Sequence, residues 1–115
     1  MHEMGIAQSV IDMAAAEAAQ RGARAVVAVS LTVGELSGVD TESLRFCFDC
    51  LKADTMLARA TLHIEYRRRR HLCPSCNSEF EAVNHDPACP LCHRVDTQWI
   101  GGDELSLTTL SLEVA

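Results

Sequence analysis

Apolar side chains recur along this chain at two spacings, one helical and one extended. Over residues 4–22, Ala7, Val10, Ile11, Ala14 and Ala18 return every three or four positions, the spacing of a single helix face. The run Ala14-Ala15-Ala16 has high helix propensity, and Gly22 after Arg21 is a natural stop. Residues 25–33 then alternate, with Val27, Val29, Leu31 and Val33 on one side and Ala28, Ser30 and Thr32 on the other, which predicts a strand. Two glycines within Gly34-Glu35-Leu36-Ser37-Gly38 mark a constrained loop. Asp40 is placed to cap a second helix over residues 41–53, with Glu42 in its first turn favouring the dipole. Leu44, Cys47, Phe48 and Leu51 form its apolar face.

A second strand is expected over residues 60–67, where Leu62, Ile64 and Tyr66 alternate with His63, Glu65 and Arg67. The last strand, over residues 104–114, changes phase. Leu105 and Leu107 share one phase, while Leu110, Leu112 and Val114 share the other, so a bulge is expected near Thr108 and Thr109. Trp99-Ile100-Gly101-Gly102 is expected to be the exit from the segment between these strands. The pattern predicts an α+β fold: two helices packed on a small mixed β-sheet, with an inserted four-Cys zinc-ribbon-like module. Residues 1–67 plus 97–115 are expected to form the α/β domain and residues 68–96 the insertion.

Composition narrows the function. The net charge of −6 disfavours a general nucleic-acid binder, because phosphate contacts need clustered cations. Arg67-Arg68-Arg69-Arg70 is such a cluster, yet without aromatic neighbours it reads as a solvated connector, and no nucleic-acid partner is expected. With no run of about 18 apolar residues and no basic segment ahead of a cleavage site, the chain reads as cytoplasmic, with no membrane partner.

Cysteine spacing carries the strongest chemical signal. Cys73-Pro74-Ser75-Cys76 and Cys89-Pro90-Leu91-Cys92 are separated by twelve residues. Each pair presents two thiolates from one turn, and four thiolates around one ion close a tetrahedral site whose default occupant is structural zinc. A rubredoxin-like iron site uses similar turns. A site so closed leaves no position for substrate, and no enzyme activity is expected from it. A third pair, Cys47 and Cys50, invites comparison with a redox dithiol; its place in mid-helix favours unreactive thiols. His71, His85 and His93 are expected at the surface near the zinc cysteines. The chain opens Met1-His2-Glu3, where a terminal amine, an amide nitrogen and the His2 imidazole can form adjacent chelate rings suited to Ni(II) or Cu(II). Taken alone, an early histidine such as His2 is more often an ordinary surface histidine.

Met1-His2-Glu3, Ile6-Ala7-Gln8-Ser9, the stretch from Val33 through Val39, Leu44-Arg45-Phe46, the paired cysteines and the closing strand occur together in one order. In that combination the whole chain resembles the HypA/HybF family of hydrogenase nickel-incorporation proteins. The resemblance implies a cytosolic metallochaperone that delivers nickel to the large-subunit precursor of [NiFe]-hydrogenase, with a HypB-type nickel GTPase as partner and urease maturation as a second outlet. It implies nickel ligands at the amino terminus, namely the His2 side chain and backbone nitrogens of Met1, His2 and Glu3, with structural zinc on Cys73, Cys76, Cys89 and Cys92. Asp40 matches a position linked to nickel in some members, although helix capping competes for it.

Overall fold

The computed structural model describes residues 2–114. Helix α1 (Glu3–Gln20) buries Ala7, Val10, Ile11, Ala14 and Ala18, the face its periodicity predicts. It ends at Gly22, whose φ of +65° is the left-handed conformation that stops a helix. Strand β1 (Ala23–Gly34) follows, then a 3-10 turn (Glu35–Ser37), helix α2 (Thr41–Leu51) and strand β2 (Thr61–Arg67). Strands β3 (Arg70–Leu72), β4 (Glu79–Glu81) and β5 (Gln98–Gly101) precede the long β6 (Leu105–Val114).

Two three-stranded sheets result. In the first, β1 is central, parallel to β2 and antiparallel to β6, so the sheet is mixed as expected. Helix α1 lies on β1 and against α2, and the core between them includes Ile11, Val29, Leu44, Phe48 and Leu57. In the second sheet β3 is central and antiparallel to both neighbours. Trp99, Ile100 and Gly101, expected to belong to an exit segment ending at Gly102, fall in strand β5, and the second sheet reaches beyond residue 96.

Two bulges set which side chains enter the core. In β6 the partner of Ser30 is Thr109 while that of Leu31 is Leu107, so Thr108 is the extra residue that reconciles the two apolar phases. Its hydroxyl donates to the Ser30 carbonyl at 3.1 Å. A second irregularity falls between Val26 and Ala28. It corrects the predicted β1 face: Val26 is buried and Val27 is exposed, because a bulge moves a side chain to the opposite face.

The two sheets meet at a backbone seam. The Gly34 N–H donates to the Glu104 carbonyl and the Leu36 N–H to the Gly102 carbonyl, both at 2.6 Å. A Cβ on Gly34 would stand 2.1 Å from the Gly102 oxygen, so only glycine fits there. The Glu35 carboxylate accepts from the Arg69 N–H at 2.8 Å and lies 3.4 Å from His85 Nδ1. A carboxylate that the sequence leaves without a role thus ties the 3-10 turn to the second sheet. The overall envelope is elongated, 56 × 24 × 16 Å.

Candidate metal centre

The two cysteine pairs fold into the same turn. The Cys73 N–H donates to Ser78 O at 2.9 Å and the Asn77 N–H returns to Cys73 O at 2.8 Å. At the same offsets, the Cys89 N–H donates to Arg94 O and the His93 N–H returns to Cys89 O, both at 2.8 Å. Asn77 and His93, at equivalent positions, take φ values of 55° and 65°. Backbone N–H groups inside each turn point at sulfur: Cys76 N–H to Cys73 Sγ at 3.5 Å and Leu91 N–H to Cys89 Sγ at 3.4 Å.

The sulfurs converge. Donor atoms of Cys73, Cys76, Cys89 and Cys92 all lie within 4.8 Å of one another, and the Cys73 and Cys92 sulfurs are 3.6 Å apart. A tetrahedral ion with bonds of about 2.3 Å places its sulfurs about 3.8 Å apart, whereas a disulfide brings them to about 2.05 Å. The donor set and spacing therefore fit a four-sulfur metal ion such as zinc. Cys73 and Cys89 are fully buried. Hydrogen bonding from the Cys92 backbone N–H, opposed by burial, brings the Cys89 thiol down to about 6. Hydrogen bonding with Cys92 pushes Cys76 up to about 12. Sulfurs packed this closely cannot all carry charge side by side, and a divalent cation relieves that conflict.

The surroundings were only partly legible. His71 is buried, not at the surface as expected, because β3 places it at the centre of the second sheet. Its ring stacks on Phe80 with centroids 5.8 Å apart. The Thr97 hydroxyl donates to Pro87 O at 2.6 Å, so it accepts from His71 Nδ1 at 3.1 Å and assigns the proton to that nitrogen. Burial, aided by Arg69, lowers the His71 pKa. Arg94, in the second turn, donates to Asp96 Oδ2 at 2.7 Å and also reaches Ser75 in the first turn. His85 and His93 are exposed, as expected.

At the other candidate position, His2 is exposed and caps α1 by backbone only, without a side-chain hydrogen bond. Met1 lies outside the described residues. The first intrahelical bond is Ile6 N–H to His2 O at 3.1 Å. Asp40 is the α2 cap, its Oδ1 accepting from Glu42 N–H at 3.0 Å and Ser43 N–H at 3.2 Å. Its own N–H donates to Glu3 Oε2 at 3.2 Å, which brings together two residues 37 positions apart. Among the described residues the four cysteines are the group whose metal-binding atoms converge; the side chains of His2, Glu3 and Asp40 do not meet as closely.

A family model described as "Hydrogenase/urease nickel incorporation, metallochaperone, hypA" matches residues 1–112. Hydrogenase maturation factor HypA of Geotalea daltonii is 43% identical over 97% of this chain and 99% of its own length. Hydrogenase maturation factor HybF of Salmonella typhimurium is 36% identical, covering 98% of this chain and all of its own. The fold is similar to the solution structure of the Ni metallochaperone HypA from Helicobacter pylori, with a TM-score of 0.67, 23% identity and full coverage of both chains. Among the described residues, no helix is long and apolar enough to cross a membrane. With cysteine turns, mixed sheet and full-length matches in agreement, this chain belongs to the HypA/HybF family of nickel-incorporation metallochaperones in hydrogenase maturation.

Proposed function

We propose that this chain carries Ni(II) at its amino terminus as cargo for the large-subunit precursor of [NiFe]-hydrogenase, receiving or passing it with a HypB-type GTPase in the cytoplasm. The four cysteines hold structural zinc, and the chain transfers metal without catalysing a reaction. The parts divide as residues 1–67 plus 97–115 for nickel handling and residues 68–96 for zinc, except that β5 (Gln98–Gly101) pairs into the second sheet and goes with the zinc part. Nickel ligands are the His2 imidazole and backbone nitrogens of Met1, His2 and Glu3. Asp40 acts beside them chiefly as a cap.

The observation that supports this most directly is the state of the α1 start. The His2 imidazole has no capping bond to lose, and the first helical N–H groups have no acceptor within the helix. An amide nitrogen there can lose its proton to solvent and bind a metal without breaking a helical hydrogen bond. The positive end of the helix dipole disfavours a bare cation, so amide deprotonation is what makes the complex acceptable and also makes it weaken as pH falls. Terminal segments exchange ligands readily, which suits a carrier. Replacing His2 with Ala is expected to abolish nickel binding in equilibrium dialysis while zinc content and far-UV circular dichroism stay unchanged. Unaltered nickel affinity in that variant contradicts the assignment.

A further inference from the structure

We infer that the free edge of β6 is a docking surface for a second copy of this chain, whose own β6 pairs antiparallel with it and joins the two mixed sheets into one. In the first sheet β6 is an edge strand, and among the described residues no strand lies beyond it. Unpaired edges recruit other strands, and proteins ordinarily blunt them with charge or proline. The opposite edge is blunted in this way. Strand β2 carries His63, Glu65 and Arg67, the Arg45 guanidinium donates to the Leu62 carbonyl at 2.7 Å, and Lys52 Nζ donates to the Ala60 carbonyl at 3.1 Å. From Leu105 to Leu112, β6 has neither a charge nor a proline. Beside it runs a groove against α1, formed by two cavities of about 460 and 510 Å³ that share Met13 and Leu107. Leu105, Leu107, Leu110 and Leu112 along this groove are only half-buried.

The residues of the edge select the occupant. Leu105-Ser106-Leu107-Thr108 is followed by its mirror image, Thr109-Leu110-Ser111-Leu112. Two such strands, antiparallel about a two-fold axis between Thr108 and Thr109, set like opposite like. Leu105 meets Leu112 of the second copy, Ser106 meets Ser111, and Leu107 meets Leu110. Opposite residues in an antiparallel pair must point to the same face of the sheet. In an unbroken strand, alternation would put Leu105 and Leu107 on one face and Leu110 and Leu112 on the other, which forbids this register. The extra residue at Thr108 removes the conflict, because all four leucines then pack toward the core. The bulge that fits β6 to its own core thus also makes its edge self-complementary. Pairing over this length supplies about six to eight backbone hydrogen bonds, within the range of a stable interface. The two α1 helices then face each other across the axis, with Met13, 52% exposed, from each copy near the centre.

The test uses zinc-loaded full-length protein and sedimentation velocity over a range of concentrations. Wild type is expected to pass from monomer to dimer as concentration rises. Ser106→Lys combined with Ser111→Lys puts like charges opposite each other twice across the axis and is expected to weaken the dimer about tenfold. Ser106→Lys combined with Ser111→Glu puts opposite charges there and is expected to restore it. Both serines are exposed, so far-UV circular dichroism should stay unchanged. Thr61→Lys, on β2, should leave the dimer as it is. Amide exchange on wild type gives an independent reading that needs no variant: β6 amides slow as the dimer fills, and β2 amides do not. A chain still monomeric at about 1 mM, where even a weak pairing forms, overturns the inference and leaves the edge to a strand of another protein. So does a dimer that the two lysines leave intact, or one that the lysine and glutamate combination fails to restore.

Discussion

Asp40 shows how one side chain can carry two candidate roles that chemistry separates. Its Oδ1 accepts two N–H groups at the start of α2, and its backbone N–H holds Glu3. Asparagine keeps the capping oxygen and loses the charge, whereas alanine loses both. Asp40→Ala is expected to cost about 1 kcal/mol of stability in denaturant titration, and Asp40→Asn a few tenths or less. If Asp40 acts as a cap alone, Asp40→Asn binds nickel as wild type does; a marked loss of affinity in Asp40→Asn would make the carboxylate a ligand. His71 carries a different lesson. Nothing in its local sequence marks it for burial, since Thr97, which accepts its hydrogen bond, lies 26 residues away.

At the scale of elements, periodicity was informative wherever an apolar face is long. The five buried α1 positions, the α2 cap and the β6 phase change could all be read from spacing. Val26 and Val27 defeated the same method, because alternation assumes an unbroken register and β1 carries a bulge there. Strands β3, β4 and β5 are three or four residues each, too short to show a period. The buried hydrophobic side chains around that sheet are Cys73, Ala82 and Cys89, so on the proposed reading metal ligation organises it more than hydrophobic burial does. The repeated cysteine turn was visible in sequence, but Arg94 bridging to Ser75 was not, since a surface Arg and Ser carry no spacing signal. A sheet with so little apolar interior should depend on its ion. Stripping metal with a strong chelator is therefore expected to abolish amide-exchange protection in β3 and β5 while Val29 and Leu31 in β1 stay protected. Retained protection in β3 after metal loss would show that the sheet stands without it.

Across the whole molecule, the two sheets are joined by close backbone contacts at Gly34 and Gly102 and by the Glu35 carboxylate. Gly34→Ala forces a methyl into the Gly102 carbonyl, and overpacking of that kind typically costs about 1–3 kcal/mol. The variant is expected to melt lower than wild type while its isolated cysteine turns still bind metal; an unchanged melting temperature would mean the seam is adaptable. The same layout separates the four-cysteine cluster from the start of α1, where nickel is proposed to bind. Sulfur from residues 73–92 closes one site within the second sheet, and the first residues of α1 lie at the edge of the helical layer. The central claim is that nickel depends on a free amino terminus and zinc does not. Nickel titration of the native chain against a form extended by a few residues ahead of Met1, with zinc content measured on both, tests it most directly. Loss of nickel binding with zinc retained is the predicted result; equal nickel affinity in the two forms would contradict it.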